Sequence, residues 1–245
     1  DFGDLTILKL LKKKTNNQLR LFKNSINILN KIQKIKVNKV KNFKGKYYKL
    51  EVYNNKKLFD EVKLFNTWYV PKFISKNKRL KINKLIKEQV EFLLSKIKLK
   101  NDIFVHRDFH VSNLMKYKNK IATIDTQDAL IGNRAYDLAS LIDDVRFETT
   151  TQFKNKIYSY YLKVNKKNVN KNNFENDFEI LSVLRNLKII GIFTRLAIRD
   201  KKKKYLKLIP YAWKLIELRM KKNIIFNELK RLLSLNFPNK IRAIK

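Results

Sequence analysis

Apolar residues recur at helical spacing along most of this 245-residue chain, and the pattern changes character at residue 103, where short strand-like runs begin. Leu19, Phe22, Ile26, Leu29 and Ile32 share one helical face and predict a helix over about 16–34. Leu58, Val62, Phe65, Trp68 and Tyr69 predict a second, with Trp68 and Tyr69 in the core. It should stop near Pro71, which has no N–H to donate. Ile82, Ile86, Val90, Leu93 and Ile97 predict a third. At residue 103 the pattern changes to IFV, NLMKY and IATID, runs too short for helices and separated by polar turns, as strands are. Helical spacing returns over about 134–145, 150–164, 175–199, 203–219 and 224–234. Residues 35–55, containing KYYKLEVY, read equally as a short strand or an irregular connection. The expected fold class is α+β and mostly helical, with a small β insert that holds loops in place.

Composition narrows the partners. The absence of cysteine excludes a disulfide framework and a thiolate zinc site, and 44% hydrophobic residues suffice for a buried core. A net charge of +36 raises nucleic acid as a partner. Against it, the lysines are spread along the whole chain and accompany an excess of Asn, Ile, Phe and Tyr, the set that A- and T-rich codons specify. Nucleic acid is therefore not the expected partner, and KKKK at 201–204 is read as an exposed turn. The same field would draw ATP and anionic substrates. No secretory signal opens the chain, and its most apolar stretch, LKIIGIFTRLAI, is too short to span a bilayer and carries Lys188 and Arg195. A cytoplasmic enzyme without a membrane partner is expected.

The chemistry gathers where the periodicity breaks. FVHRDFHVSNLM (104–115) and IDTQDALIGNRAYDLASL (124–141) hold His106, Asp108, His110, Asn113, Asp125, Asp128 and Asp137. Phosphoryl transfer through a loose transition state asks a protein mainly to position reactants and neutralise charge. Asp108, in a loop after a buried strand, suits the role of orienting an acceptor hydroxyl and taking its proton. Asp125, seventeen residues on, and Asn113 offer the hard oxygen ligands that magnesium prefers. His106 is expected to hydrogen-bond loop backbone or a loop carboxylate. Asp137 opens an apolar helix with Leu138 and Leu141, where capping competes with bracing the loop, and bracing is the expectation. His110, Asp128 and Arg195 are candidates for contact with the acceptor, set against loop packing, turn stabilisation and a solvated surface respectively. Arg199 lies one helical turn beyond Arg195.

HRDFHVSNLM resembles the catalytic loop of the kinase-like superfamily. IDTQDALIGNRAYDLASL resembles the metal loop of its small-molecule branch, the aminoglycoside phosphotransferase and choline kinase superfamily. His110 stands where protein kinases usually carry Lys, and Gly132 and Asp137 also match that branch. FDEVKLFNTWYVPKFI and RNLKIIGIFTRLAIRDKKKKYLKLIP are similar to segments of bacterial anomeric amino-sugar kinases, which act on N-acetylmuramate and N-acetylglucosamine. The resemblance covers about residues 1–220. It implies the C-terminal lobe of a protein-kinase-like fold, ATP as donor, Mg2+, and a sugar hydroxyl as acceptor. It also implies catalytic and metal loops over 104–138 and a helical substrate-side region over 145–235.

Three departures qualify it. Nothing before residue 103 reads as the family's nucleotide-clamping N-terminal lobe, so the chain is expected to be a fragment or a relic lacking it. Asp1-Phe2-Gly3 mimics a kinase metal motif but precedes the catalytic loop by about a hundred residues, and is read as a decoy. Thr126 and Asn133 replace the family's usual residues. Two rival readings remain: a catalytically impaired kinase-like fragment serving as a binding or scaffold protein, and a basic nucleic-acid-binding protein.

Overall fold

A computed structural model describes residues 2–13, 17–36, 39–41, 44–167 and 169–242. In chain order come α1 (Ile7–Lys12), α2 (Gln18–Ile32), β1 (Lys39–Lys41), β2 (Tyr47–Lys49) and α3 (Asn55–Leu64). A π-helical turn (Phe65–Tyr69) leads into α4 (Val70–Phe73) and α5 (Lys76–Ser95). Strands β3 (Asn101–Val105), β4 (Leu114–Tyr117), β5 (Lys120–Thr123) and β6 (Leu130–Asn133) follow. The remainder is α6 (Ala135–Ile142), α7 (Thr151–Val164), α8 (Lys171–Ile198), α9 (Ile209–Met220) and α10 (Asn227–Asn236), with short 3-10 turns between. The mostly helical α+β class is as expected. No described helix is long and apolar enough to cross a membrane.

Two compact units form, Asp1–Asn54 with Lys98–Phe178 and Asn55–Ile97 with Glu179–Lys245. In the first, three antiparallel strand pairs form among the described residues: β1–β2, β3–β6 and β4–β5. The helix expected over 16–34 is α2, with Asn17 capping it by accepting the Arg20 N–H at 3.0 Å. Its buried face is Phe22, Ser25, Ile26 and Leu29, packed on α6, α7 and β5. Residues 14–16, 37–38 and 42–43, at the expected start of this helix and in the ambiguous segment, lie outside the described residues, as does Asp1. Phe2 meets Tyr117 edge-on at 5.4 Å, and Gly3 takes φ 70°. β6 was not expected. LIGN is too short to carry a periodic signal, and its pairing with β3, Val105 opposite Leu130, is a tertiary contact.

α6 organises this unit. Every residue from Ala135 to Ile142 is buried, so it is apolar nearly all round, as an interior helix must be. Buried Asn133 caps it, its Oδ1 accepting the Ala135 N–H at 2.9 Å while its Nδ2 donates to Asp177 at 2.7 Å. Asp177 also accepts the Lys98 and Leu99 N–H groups, both at 2.8 Å, and so pins the entry to β3.

In the second unit the helix expected to stop near Pro71 runs two residues past it, to Phe73, where Ile74 turns extended. The backbone widens into the π turn, the Val70 N–H reaching back to the Phe65 carbonyl, and Pro71 then sits in the first turn of α4. There its missing N–H would have no intrahelical partner anyway. Phe65, Tyr69, Trp213 and Phe237 pack as one aromatic cluster. The Trp213 Nε1–H donates to Tyr69 Oη at 3.0 Å, and that hydroxyl donates to the Arg242 carbonyl at 3.0 Å. Tyr69 is fully buried and Trp68 half-buried. Residues 201–204 are exposed, as expected.

Candidate active site

The break in periodicity becomes two loops of the first unit, one joining β3 to β4 and the other joining β5 to β6. Val105 is buried and delivers the chain into His106, which is itself wholly buried. Phe109, Val111 and Leu114 are buried too and anchor the first loop from beneath. The β4–β5 hairpin, turning through Lys118 at φ 52°, returns the chain so that the second loop starts beside the first. The Ile124 N–H donates to the Asn113 carbonyl at 3.1 Å, and His106 Nε2 lies 2.9 Å from the Ile124 carbonyl.

A carbonyl can only accept, so His106 carries its proton on Nε2. Burial pushes its pKa below the ordinary 6.5, opposed by the Ile124 carbonyl and by the carboxylates of Asp108 and Asp125. The imidazole is therefore neutral, and its Nδ1 is buried without a hydrogen-bond partner among the described residues. Asp108 and Asp125, one from each loop, thus both lie within electrostatic reach of this ring. Asp108 is half-buried and Asp125 exposed.

Carboxylates from α6 and the turn after it hold the first loop. Asp137, fully buried, accepts the His106 N–H at 2.7 Å and the Arg107 N–H at 3.0 Å. Asp144, just beyond the helix, accepts the Val111 N–H at 3.1 Å. Arg107 takes φ 70°, a left-handed conformation costing about 1–2 kcal/mol for a residue with a Cβ. Its guanidinium lies over the Tyr53 ring at 5.0 Å and donates to the Asp128 carbonyl at 3.0 Å. Asp125 is also left-handed, at φ 60°, a conformation Asp tolerates better than most residues. Strained backbone at Arg107, held by the buried Asp137 carboxylate, is the pattern of a site that needs fixed geometry.

Asn113 closes the first loop, its Nδ2 donating to the Asp108 carbonyl at 3.1 Å. That leaves its amide oxygen as the group it can offer a ligand. Among the described residues no cluster of three or more His, Asp or Glu is placed to hold a metal. Magnesium bound with a nucleotide takes most of its ligands from phosphates and water and needs one or two protein oxygens. Asp125 and Asn113 fit that requirement. His110 is buried in the first loop, and the Asp128 side chain is exposed in the second. Arg195 belongs to α8 in the second unit, where its Nε is buried without a hydrogen-bond partner.

Sequence reasoning did not single out Arg107, Tyr53, Asp144 or Lys154. Lys154 is buried, donating to the Ile142 carbonyl at 2.6 Å with Asp143 at 3.3 Å, and so fixes the turn that carries Asp144. The one signal available was the pair Asp143–Asp144 directly after an apolar helix.

A profile of the phosphotransferase enzyme family matches residues 9–170, well over half of the chain and all of both loops. The chain belongs to this family. Among its curated relatives is an N-acetylmuramate/N-acetylglucosamine kinase of Neisseria meningitidis serogroup B. It is 34% identical over 166 residues, which is 66% of this chain and 50% of that protein. A kinase of the same description from Caulobacter vibrioides is 26% identical over 222 residues, 87% of this chain and 59% of that protein. The chain thus spans about half to three-fifths of the length of these relatives. Choline kinase from Cryptosporidium parvum superposes with a TM-score of 0.53 at 14% identity, covering 98% of this chain and 72% of that one. At that identity the likeness is one of fold, and it places this phosphotransferase-family chain in the kinase-like fold.

Proposed function

We propose that this protein transfers the γ-phosphoryl group of ATP, with magnesium, to a hydroxyl of a small molecule, an amino sugar of the N-acetylmuramate or N-acetylglucosamine kind. The observation that carries the reading is that the loops bearing Asp108 and Asp125 are tied side by side, through Ile124 to Asn113 and to His106, in a phosphotransferase-family chain. The acceptor class rests on the curated relatives. Residues 1–245 are read as the carboxylate-bearing lobe, with the loops at 104–138 and a substrate-side helical region at 145–235.

In this mechanism Asp108 accepts a hydrogen bond from the acceptor hydroxyl and aims its oxygen at the γ-phosphorus. As the new oxygen–phosphorus bond forms, the bond from that phosphorus to the β–γ bridging oxygen breaks, ADP leaves, and the hydroxyl proton passes to the Asp108 carboxylate and then to water. Asp125 and the Asn113 amide oxygen would hold magnesium, whose chemistry is to neutralise phosphate charge. His106 and Asp137 keep both loops in register. His110 and Asp128, from the two loops, are the residues proposed to contact the acceptor.

Phosphate transfer from ATP to each amino sugar tests the reading, measured for the protein and its Asp108→Asn variant. Loss of a positioned base costs about two to four powers of ten in kcat. Unchanged turnover in the variant, or no transfer to any hydroxyl acceptor by the natural protein, would overturn the proposal.

A further inference from the structure

Arg185, in α8, carries a permanent positive charge into the second unit without a counter-charge among the described residues. It is 4% exposed, and its Nη1 is buried with no hydrogen-bond partner. All but one of the carboxylates of this unit are engaged elsewhere. Asp60, Glu61, Glu88, Asp200, Glu217 and Glu228 pair with other Lys or Arg residues. Glu179 accepts the Asn223 amide at 2.9 Å, and Glu91 is exposed. A guanidinium cannot shed its proton to escape burial, so an unpaired buried arginine is costly and calls for an anion.

The helical face around it is basic as well. Lys188, Arg195 and Arg199 follow at i+3, i+10 and i+14, with Ile192 at i+7. Lys188 is matched by Glu61 at 2.8 Å and Arg199 by Asp200 at 2.6 Å. Arg195 lies near enough to Asp200 to depress that carboxyl's pKa, while its own Nε is buried without a hydrogen-bond partner. Two positive charges on this face are thus left over, one shared by Arg195 and Arg199 around Asp200 and the other on the more deeply buried Arg185.

We infer that Arg185 anchors an oxyanion site on α8, taking a carboxylate or phosphate group by the forked pairing that a guanidinium favours. The chain carries the cost of the lone charge when the site is empty and recovers it when an anion binds. The inference stands apart from the reading of Asp108 and Asp125. The oxyanion has two chemical sources, an acid group on a sugar or free phosphate.

Thermal unfolding of the protein at constant ionic strength in chloride tests it, with inorganic phosphate, N-acetylmuramate, whose lactyl group bears a carboxylate, or the acid-free N-acetylglucosamine added. A ligand that binds only the folded state raises the melting temperature. The wild type should gain about 2 °C or more with phosphate or N-acetylmuramate beyond any gain with N-acetylglucosamine. A gain with N-acetylmuramate alone assigns the site to a sugar acid, and a gain with phosphate assigns it to free phosphate. Arg185→Met should lose the gain and, without added oxyanion, melt above the wild type, because the lone charge is gone. Arg185→Lys, which keeps the charge but not the fork, should retain a smaller gain. Asp108→Asn should retain it in full. The inference fails if neither oxyanion shifts the wild type, if the shift survives in Arg185→Met, or if Asp108→Asn abolishes it. Should Arg185→Met not fold, the wild-type titration and Arg185→Lys decide by the same criteria.

Discussion

The Asp137 carboxylate, buried in the first turn of α6, accepts the backbone N–H of His106 at 2.7 Å from 31 positions away in the chain. It accepts Arg107 as well, so one side chain satisfies two consecutive loop amides, one of them on a strained residue. Asp137→Ala leaves both donors without this acceptor. Hydrogen bonds to a charged group contribute about 1.5–3 kcal/mol each, so the variant should lose about 3 kcal/mol of stability in urea unfolding. Activity at saturating substrate should fall in parallel.

Asp144 holds the other end of the same loop through the Val111 N–H, and Lys154 with Asp143 fixes the turn that carries it. It touches no reacting group in the proposed mechanism, so it acts as a positioning residue. Asp144→Ala should lower kcat about tenfold or more while KM for ATP stays within a factor of about two, the pattern of misalignment rather than lost binding. A variant with raised KM and unchanged kcat would place Asp144 in ground-state binding instead.

Asp125 is exposed and left-handed, the conformation that presents its carboxylate from the second loop. In the proposed reaction, Asp125→Asn should raise the magnesium concentration giving half-maximal rate about tenfold or more, because a neutral oxygen replaces a charged one. A titration of rate against magnesium at fixed ATP reads this. An unshifted midpoint would remove Asp125 from the metal role.

His106 has a pKa below its ordinary 6.5, chiefly through burial. Below about that pH the unfolded chain takes up a proton that the folded chain refuses, so stability declines as pH falls. Melting temperatures at about pH 7.5 and about pH 5.5 should drop more for the wild type than for His106→Gln. His110 is present in both proteins and cancels in the difference.

Gly191 marks the closest approach between α8 and the π-helical turn. A Cβ there would lie 2.3 Å from the Leu64 carbonyl carbon and 2.5 Å from the Phe65 nitrogen, both backbone atoms that no rotamer change can move. Gly191→Ala should cost about 3 kcal/mol or more, read by urea unfolding, because two backbones must separate. The first unit should keep its fold if the two units unfold independently.

Much of this protein is legible along the chain, because helices and short strands are written in local periodicity. Phe22, Ile26 and Leu29 announce α2, and the motifs around Asp108, Asn113 and Asp125 announce the family. The π turn is not legible, since the choice between ending at Pro71 and widening the backbone depends on the packing around Phe65 and Tyr69. β6 is not legible either, because four residues hold no period and its partner is β3. Asp137, Asp144 and Asp177 look alike in sequence, as acids in or beside apolar helices. Only folding assigns the first two to particular amides of one loop and the third to the entry of β3. The sequence by itself determined most of the helices, the strands of the insert other than β6, and which residue types gather at the loops, because these follow from neighbours a few positions apart. The tertiary structure alone decided which carboxylate holds which backbone N–H, and left Arg185 buried without a described partner, because hydrogen bonds and charge pairing act between groups that the chain separates by tens of residues.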